Sequence, residues 1–324
     1  MENKDLKKLL KYRPPLAVSL LIILGFFLMF IYISKDRSSY AISYEDNNFN
    51  DSFETKVVTF GISSDKNIKV SRVYDDSARQ VFSLDTKDYG SSYVKDKEIT
   101  DKGLLYILSN SYPNIDIKDK NGNSLNIDFQ TWISQVAIWS YLNEKGFKLD
   151  NNLLEAIKTS KKLYSDDQSL SSNKTIYDKY IKNIVNNALN IKLDELNINV
   201  FTDDDVYMTK DNKYYQSSLI TVSSNDSERF KGYLVNLDNA PKGSFIVDES
   251  GKKIDLSKQL RVTDKFYLRI PKNKLSSDNR EVRLDVVGVY DEIEAYSYKS
   301  DGYSTIIASR KIDNKINKSL YIKF

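Results

Sequence analysis

Two kinds of hydrophobic spacing divide most of the chain. Between residues 128 and 190, apolar residues recur every three or four positions, which predicts amphipathic helices. From about Leu196 onwards, apolar and polar residues alternate in short runs, which predicts antiparallel strands. Short apolar runs at Val57–Phe60, Ile68–Val70 and Val81–Leu84 predict three further strands before the helices. The pattern indicates an α+β body with strands on both sides of a helical region.

Three helices are predicted in the middle of the chain. The first begins at Asp128, which we expect to be its N-terminal cap, and ends before Gly146, a residue type common just after a helix. The second begins at Asp150 and the third at Thr175. Each carries one apolar stripe, so we expect the three helices to pack on a common core.

The late strands are separated by turn sequences rich in Gly, Ser, Asp and Asn. Regular short strands of this kind predict an antiparallel β-sandwich. The predicted strands are Ser218–Val222, Tyr233–Leu237, Phe245–Val247, Phe266–Ile270, Val282–Val287, Ser304–Ala308 and Leu320–Ile322.

A longer apolar run stands apart from both patterns. Leu16–Ile33 is an 18-residue segment without a charge. At about 1.5 Å per residue it would span roughly 27 Å, close to the thickness of a bilayer core. Five basic residues precede it and two follow closely, so the positive-inside rule predicts a single-pass cell-membrane protein with a cytoplasmic N-terminus and an extracellular body. A cleaved signal peptide is the alternative, although the run is longer than a signal core and no small-residue cleavage site follows it.

These patterns predict five parts in the chain. They are a cytoplasmic tail (1–15), a transmembrane helix (16–34), a flexible tether (35–55), a lobe of early strands and helices (56–195) and a β-sandwich lobe (196–324). The tether is predicted from its polar composition, which offers little apolar surface to bury.

The composition removes several kinds of chemistry. The chain has no cysteine and no histidine, which excludes disulfides, thiol catalysis, Ser-His-Asp triads and the usual zinc sites. A net charge of +3 is too small for a nucleic-acid footprint, so no nucleic-acid partner is expected. Asp203–Asp205 lacks the spacing of a calcium loop and is expected to be a solvated turn. We predict no metal site and no cofactor.

Two glutamines lie beside apolar residues. Gln135 lies inside the first predicted helix, and Gln216 begins a predicted strand. A buried amide must be hydrogen-bonded, so either residue could be a constrained position. From the residues alone, a helix flank and an edge strand are the ordinary interpretations.

In their order along the chain, these segments resemble the thioester domain family of Gram-positive surface proteins, over roughly residues 57–310. Val81-Phe82-Ser83-Leu84-Asp85 resembles the aromatic-Cys-hydrophobic motif of the family, with serine in place of cysteine. Ser134-Gln135-Val136-Ala137-Ile138-Trp139 resembles its Thr-Gln-x-Ala block, which is followed by an aliphatic residue and Trp. Tyr215-Gln216-Ser217-Ser218-Leu219 loosely resembles its hydrophobic-Gln-polar-hydrophobic block.

The resemblance implies a role for each of these residues. In the family, the cysteine thiol and a glutamine side chain condense to an internal thioester that acylates an amine on a partner. Ser83 and Gln216 would lie side by side at the degenerate thioester position, and Gln135, Ala137 and Trp139 would form a structural block on the helix. Without cysteine no thioester can form. A serine alkoxide is a poor leaving group, because its pKa lies several units above the roughly 8.5 of a thiol.

Several functions are open once the thiol is missing. The preferred hypothesis is a non-covalent binding or adhesion module at the membrane, without catalytic residues, whose partner is an extracellular or cell-envelope protein or glycan. A Ser83–Gln216 ester could instead staple the domain, or the match could extend only to the fold. An envelope hydrolase or transferase using carboxylate or Ser/Lys chemistry belongs to a different class. A tethered structural partner within a larger complex is the remaining alternative.

Overall fold

The computed structural model describes residues 49–60, 70–149, 151–165, 168–191, 195–275 and 280–324. Phe49–Phe324 forms one unit. Within the described residues, no helix combines the length and the apolar character that crossing a membrane requires. The predicted cytoplasmic tail, the transmembrane helix at 16–34 and most of the tether lie outside these residues and stay predictions.

Strands outnumber helices in the described part of the chain, which confirms a mainly β body with helices inserted. The strands are β1 (Ser52–Glu54), β2 (Lys56–Phe60), β3 (Val70–Tyr74), β4 (Gln80–Ser83), β5 (Ser92–Glu98), β6 (Lys162–Ser165), β7 (Gln168–Ser171), β8 (Ile198–Phe201), β9 (Val206–Met208), β10 (Tyr214–Ser217), β11 (Thr221–Ser224), β12 (Phe230–Asn236), β13 (Phe245–Val247), β14 (Tyr267–Pro271), β15 (Glu281–Lys299) and β16 (Ile306–Lys323). The helices are α1 (Lys102–Ser109), α2 (Ile127–Glu144), α3 (Asn151–Thr159), α4 (Ile176–Tyr180) and α5 (Lys182–Asn190).

The largest sheet curls round so that its two edges meet. Its strand order is β1-β5-β15-β16-β4-β3-β2, and β12 pairs with a further part of β15. Thr55 alone separates β1 from β2, although these strands lie at opposite ends of this order. The chain therefore passes directly from one edge to the other. Large side chains fill the space inside, among them Phe53, Tyr93 and Tyr298.

The hairpin of β15 and β16 joins early and late parts of the chain. Its register runs from Glu281 opposite Lys323 to Tyr298 opposite Ile306. At that last position β4 pairs with β16, with Ser83 opposite Ile306. An early strand therefore shares a sheet with late strands. The division into lobes 56–195 and 196–324 stays a prediction, and this hairpin joins strands from both sides of it.

Helix α2 is buried on all sides along most of its length. Its N-terminal cap is Asn126, whose side chain accepts a hydrogen bond from the Asp128 N–H, so the predicted cap at Asp128 is corrected. The chain leaves the helix through Gly146 at φ +88°, as the sequence predicts. The expected single apolar stripe is also corrected, since every residue from Asp128 to Leu142 is buried. The reason is that α2 contacts α1, α5, β3 and β6.

The predicted helix at Thr175 forms but is interrupted. Thr175 caps α4, and its hydroxyl accepts a hydrogen bond from the Asp178 N–H at 3.0 Å. The helical path breaks at Ile181 and resumes as α5. Helix α1, which begins after the cap residue Asp101, was not predicted.

A second hydrophobic cluster lies under the late strands. It contains fully buried residues of β14, such as Leu268 and Ile270, and fully buried residues of the hairpin, such as Val286 and Tyr290. The sheet β13-β14-β10-β9 therefore packs on the same core as the half of β15 that pairs with β12.

Candidate functional site

Ser83 ends β4 and is almost completely buried, with 1% of its surface exposed. Its Oγ donates a hydrogen bond to the Asp85 carbonyl oxygen. The Ser83 Oγ also forms a hydrogen bond with the Oγ of Ser304, 221 residues away in the chain. The fold thus brings two distant hydroxyls together where β4 meets the start of β16.

Ser304 is positioned by hydrogen bonds between two loops. The Ser304 N–H donates to the Asp88 carbonyl at 2.9 Å, and the Leu84 N–H donates to the Thr305 carbonyl at 2.8 Å. The Thr305 N–H donates to the Asp85 carboxylate at 3.3 Å. These bonds hold the segment before β16 against the segment after β4, so main-chain geometry fixes the contact between the hydroxyls.

The side chain of Gln135, on α2, binds both polar main-chain groups of Ser83. Its Oε1 accepts from the Ser83 N–H at 2.8 Å, and its Nε2 donates to the Ser83 carbonyl at 2.8 Å. One helical turn later, Trp139 Nε1 donates to the Asp85 carbonyl at 3.1 Å. Ala137 is fully buried in the same core cluster as Trp139. These contacts give Gln135 and Trp139 a structural role beside Ser83.

Tyr89 adds a third hydroxyl to this cluster. It hydrogen-bonds Ser83, and its burial, with a smaller contribution from Tyr93, raises the pKa of Tyr89. Its hydroxyl therefore stays protonated at neutral pH. Because Ser304 is 0% exposed and Ser83 is 1% exposed, solvent has almost no access to either serine hydroxyl.

A family model matches the part of the chain that contains Ser83 and Gln135. The model for the thioester domain matches residues 44–190, which include Ser83 and the helix block on α2. The predicted resemblance to thioester domains is confirmed. The match, together with the absence of cysteine from the whole chain, describes a degenerate thioester-domain segment.

Among the similar solved structures, the first supports the fold. The Bacillus anthracis TIE protein is 16% identical with a TM-score of 0.54 over 83% of this chain, which spans 48% of that chain. The thioester domain of the Enterococcus faecium TIE86 protein is 14% identical, with a TM-score of 0.49 and coverage of 86% of this chain and 98% of that one. The thioester domain of the Staphylococcus aureus TIE protein is 12% identical, with a TM-score of 0.34 and coverage of 84% and 98%. No curated protein sequence matches this chain.

The structure does not bring Gln216 to the degenerate thioester position. Gln216 lies on β10, where its Oε1 accepts a hydrogen bond from Arg269 Nε at 2.7 Å. Strand β10 pairs with β9 and β14, whereas the strand of Ser83 pairs with β3 and β16. The expected side-by-side placement of Ser83 and Gln216 is therefore corrected. The reason is that β10 belongs to a different sheet, over the second core.

Ser304 lies where the resemblance had assigned Gln216. Tyr303-Ser304-Thr305-Ile306 follows the hydrophobic-Gln-polar-hydrophobic order, with serine in place of glutamine. The sequence analysis missed this segment because it looked for a glutamine in the hydrophobic-Gln-polar-hydrophobic motif. It had allowed serine in place of cysteine at position 83 but not serine in place of glutamine. A pattern that allowed serine at both positions would have found it.

The paired hydroxyls can hydrogen-bond but cannot form a thioester. Ser83 supplies no sulfur, and the Ser304 side chain has no carbonyl carbon to be attacked. In the described part of the chain, the partners of the Ser83 hydroxyl are the main-chain carbonyl and N–H of Asp85 and the hydroxyls of Ser304 and Tyr89, and none of them is an amine or a carboxylate. Among the described residues, no group of three or more acidic side chains forms a candidate metal site, and Asp203–Asp205 is an exposed segment between β8 and β9.

Proposed function

We propose that this protein is held in the cell membrane by Leu16–Ile33 and presents its thioester-domain-like body outside the cell. There the body binds a protein or glycan of another surface or of the envelope, without covalent capture. The anchor is supported by the uncharged apolar run and by the excess of basic residues before it. The binding role is supported by the thioester-domain fold of the body.

The observation that carries the non-covalent part of the proposal is the contact between Ser83 and Ser304. A thioester forms when a thiol attacks a side-chain amide and ammonia leaves. Both reacting groups are replaced by hydroxyls here. The recognition surface of a thioester domain can persist without its acylating step, so binding is the activity that this body retains.

The other candidate functions fit the site less well. An ester between Ser83 and Gln216 would require contact between these side chains, whereas the Gln216 amide bonds to Arg269. A hydrolase would need a base next to its nucleophile. The hydroxyl of Ser83 has hydroxyl and carbonyl partners instead. We therefore propose that the protein is not an enzyme.

Intact-mass measurement of the full chain, with and without methylamine, tests the inert site. We expect the mass calculated for an unlinked chain, unchanged by methylamine. The S83A/S304A double variant, which cannot react at either position, should behave in the same way. An adduct of one methylamine on the natural chain, absent from this variant, would contradict the proposal. A mass lowered by one water or one ammonia would do the same.

Protease treatment of intact cells tests the orientation separately. We expect external protease to digest the body while an N-terminal tag stays protected. A variant that lacks residues 16–33 should lose its association with the membrane fraction. Protection of the body in intact cells would contradict the extracellular placement.

A further inference from the structure

The sheet β13-β14-β10-β9 has one face outside the core. Alternate residues of a strand point to opposite faces of its sheet. Ile246, Leu268, Ile270 and Ser217 have no exposed surface, and they line the inner face. Gln216, Arg269 and Phe245, which lie next to these residues in sequence, point outwards and are only partly buried.

Four residues form a continuous row across this outer face. The strand register places Tyr207 opposite Gln216 and Gln216 opposite Arg269. It then places Arg269 opposite Phe245. At a strand spacing of about 4.8 Å, the row extends over roughly 14 Å. Tyr214 belongs to the same face and packs edge-on against Phe245, with ring centroids 5.1 Å apart.

Arg269 carries an uncompensated positive charge at the centre of this row. Its Nε donates to the neutral side chain of Gln216 at 2.7 Å. No described carboxylate forms an ion pair with Arg269. Six other arginines of the described chain do form ion pairs, namely Arg72 with Asp128, Arg79 with Asp75, Arg229 with Asp226, Arg261 with Asp264, Arg283 with Asp285 and Arg310 with Glu294. A guanidinium in this state suits an external anion, which it can bind through two parallel hydrogen bonds.

Aromatic rings border this charge. Tyr207 is 55% exposed, a large fraction for an aromatic side chain on a sheet face. The Lys253 ammonium group lies 5.4 Å from the centroid of the Phe245 ring and adds a second positive charge to the same side. At the opposite edge, the Tyr207 hydroxyl donates to the Asp205 carboxylate at 3.2 Å. The rim thus has mixed charge, while the centre is positive.

We propose that this outer face, formed by Tyr207, Tyr214, Gln216, Phe245 and Arg269, binds a polysaccharide whose sugar rings carry carboxylates. The proposal deepens the binding role proposed above and rests on it for the extracellular setting. The guanidinium binds the carboxylate, the Gln216 amide hydrogen-bonds sugar hydroxyls, and the rings pack against the C–H faces of the sugars.

An acidic peptide fits this face less well. Peptides commonly bind a sheet by adding a strand at a free edge. Strands β10 and β14 each have a hydrogen-bonded neighbour on both sides, so their main chains are already paired. At Gln216 and Arg269, which lie on these two central strands, a ligand is therefore recognised through side chains. A ring polymer with one carboxylate on each sugar matches flat aromatic surface beside a fixed cation.

Calorimetric titration of the detergent-solubilised full chain with a hexamer of galacturonic acid tests the proposal. We expect saturable binding at one site. The methyl-esterified hexamer has the same rings without the charge, and it should bind at least about tenfold more weakly because the charged hydrogen bonds are lost.

Matched variants locate the site on this face. Arg269→Gln should weaken binding by about tenfold or more, whereas Arg280→Gln should change it less than about twofold. Arg280 is the right control because it also has no ion pair with a described carboxylate and lies outside the row. Tyr207→Ala should weaken binding, whereas Tyr321→Ala, at a tyrosine that is 57% exposed elsewhere, should not. Gln216→Glu should also abolish binding, because its carboxylate would neutralise Arg269.

Absence of binding would overturn the proposal. So would equal binding of the methyl-esterified hexamer, equal losses in the Arg269 and Arg280 variants, or preferential binding of hexaglutamate. Circular dichroism confirms that each variant is folded, and the exposed position of Tyr207 keeps the test usable if Arg269→Gln does not fold. If the hexamer does not bind while methylamine leaves the mass unchanged, the glycan face is wrong and the inert site stands.

Discussion

The hydroxyl of Ser83 meets the hydroxyl of Ser304 where β4 pairs with β16. Both residues are buried, and the Gln135 amide holds the main chain of Ser83 from the other side. Because both residues are serines, this contact contains neither the thiol nor the side-chain amide that a thioester requires. Hydrogen bonds join the two strands at this point of the fold.

Cysteines at positions 83 and 304 should form a disulfide. The natural chain has no cysteine, so any disulfide must come from the introduced pair. We expect S83C/S304C to oxidise readily, because the side-chain atoms are already in contact. S83C/Q216C should stay reduced, since its two positions lie in different sheets. Peptide mapping without reduction distinguishes the two, and a cross-link only in the second variant would restore the original assignment of Gln216.

Removal of the Gln135 amide should destabilise the fold strongly. Gln135→Ala leaves the buried N–H and carbonyl of Ser83 without these partners. At about 1–3 kcal/mol for each of the two buried groups, the free energy of unfolding should fall by roughly 2–6 kcal/mol. Urea unfolding of the full chain measures this. Gln216→Ala is the matched control and should cost less than about 1 kcal/mol, because its side chain is only partly buried. Equal losses would contradict the structural role of Gln135.

Phe49 should hold the start of the body against the curled sheet. Its ring centroid lies 4.6 Å from Arg79 Cζ and 4.8 Å from Arg310 Cζ. It also packs edge-on against Tyr296 at 4.8 Å. Phe49→Ala should therefore accelerate amide hydrogen exchange in β1 by about tenfold or more. Phe147→Ala, at a phenylalanine that is 58% exposed, should leave this exchange unchanged. Unaltered exchange in the Phe49 variant would show that the ring does not secure β1.

Asp285 should contribute stability that is lost in acid. Ser319 donates to its carboxylate at 2.6 Å, and Arg283 and Asn239 donate at 2.9 and 3.0 Å. The Ser319 bond is the largest cause that lowers the pKa of Asp285. A lowered pKa stabilises the fold above the unfolded value of about 3.9, and this stability is lost as the pH falls through the folded value. The difference in unfolding free energy between the natural chain and Asp285→Asn should be largest near neutral pH and shrink below about pH 4. A difference that does not change with pH would contradict this.

Residues that act within one turn of a helix predicted helix ends correctly. Gly146 and Thr175 mark real helix ends, because a glycine exit and a threonine cap act within one turn. The lengths of β15 and β16 could not be read from the sequence in the same way. In β16, residues such as Lys311 and Lys315 are exposed, so the run lacks the apolar content that marks a buried strand.

The candidate site could be predicted only in part. The block around Gln135 was recognised because its residues are contiguous in the sequence. Its contact with Ser83, 52 positions away, could not be seen from a contiguous pattern. Choosing between Gln216 and Ser304 depends on which late strand pairs with β4. The pairing follows from the register of the hairpin rather than from any local pattern.

The most direct test of the central claim introduces a thiol at position 83 and a side-chain amide at position 304, and measures the intact mass of the chain. In the folded S83C/S304Q variant, the thiol should attack the amide and release ammonia. The intact mass should therefore fall by one ammonia, and methylamine should add one equivalent at position 304. Neither single variant should do either. A folded double variant that keeps its full calculated mass and takes up no methylamine would contradict the assignment of Ser83 and Ser304 to the two thioester positions.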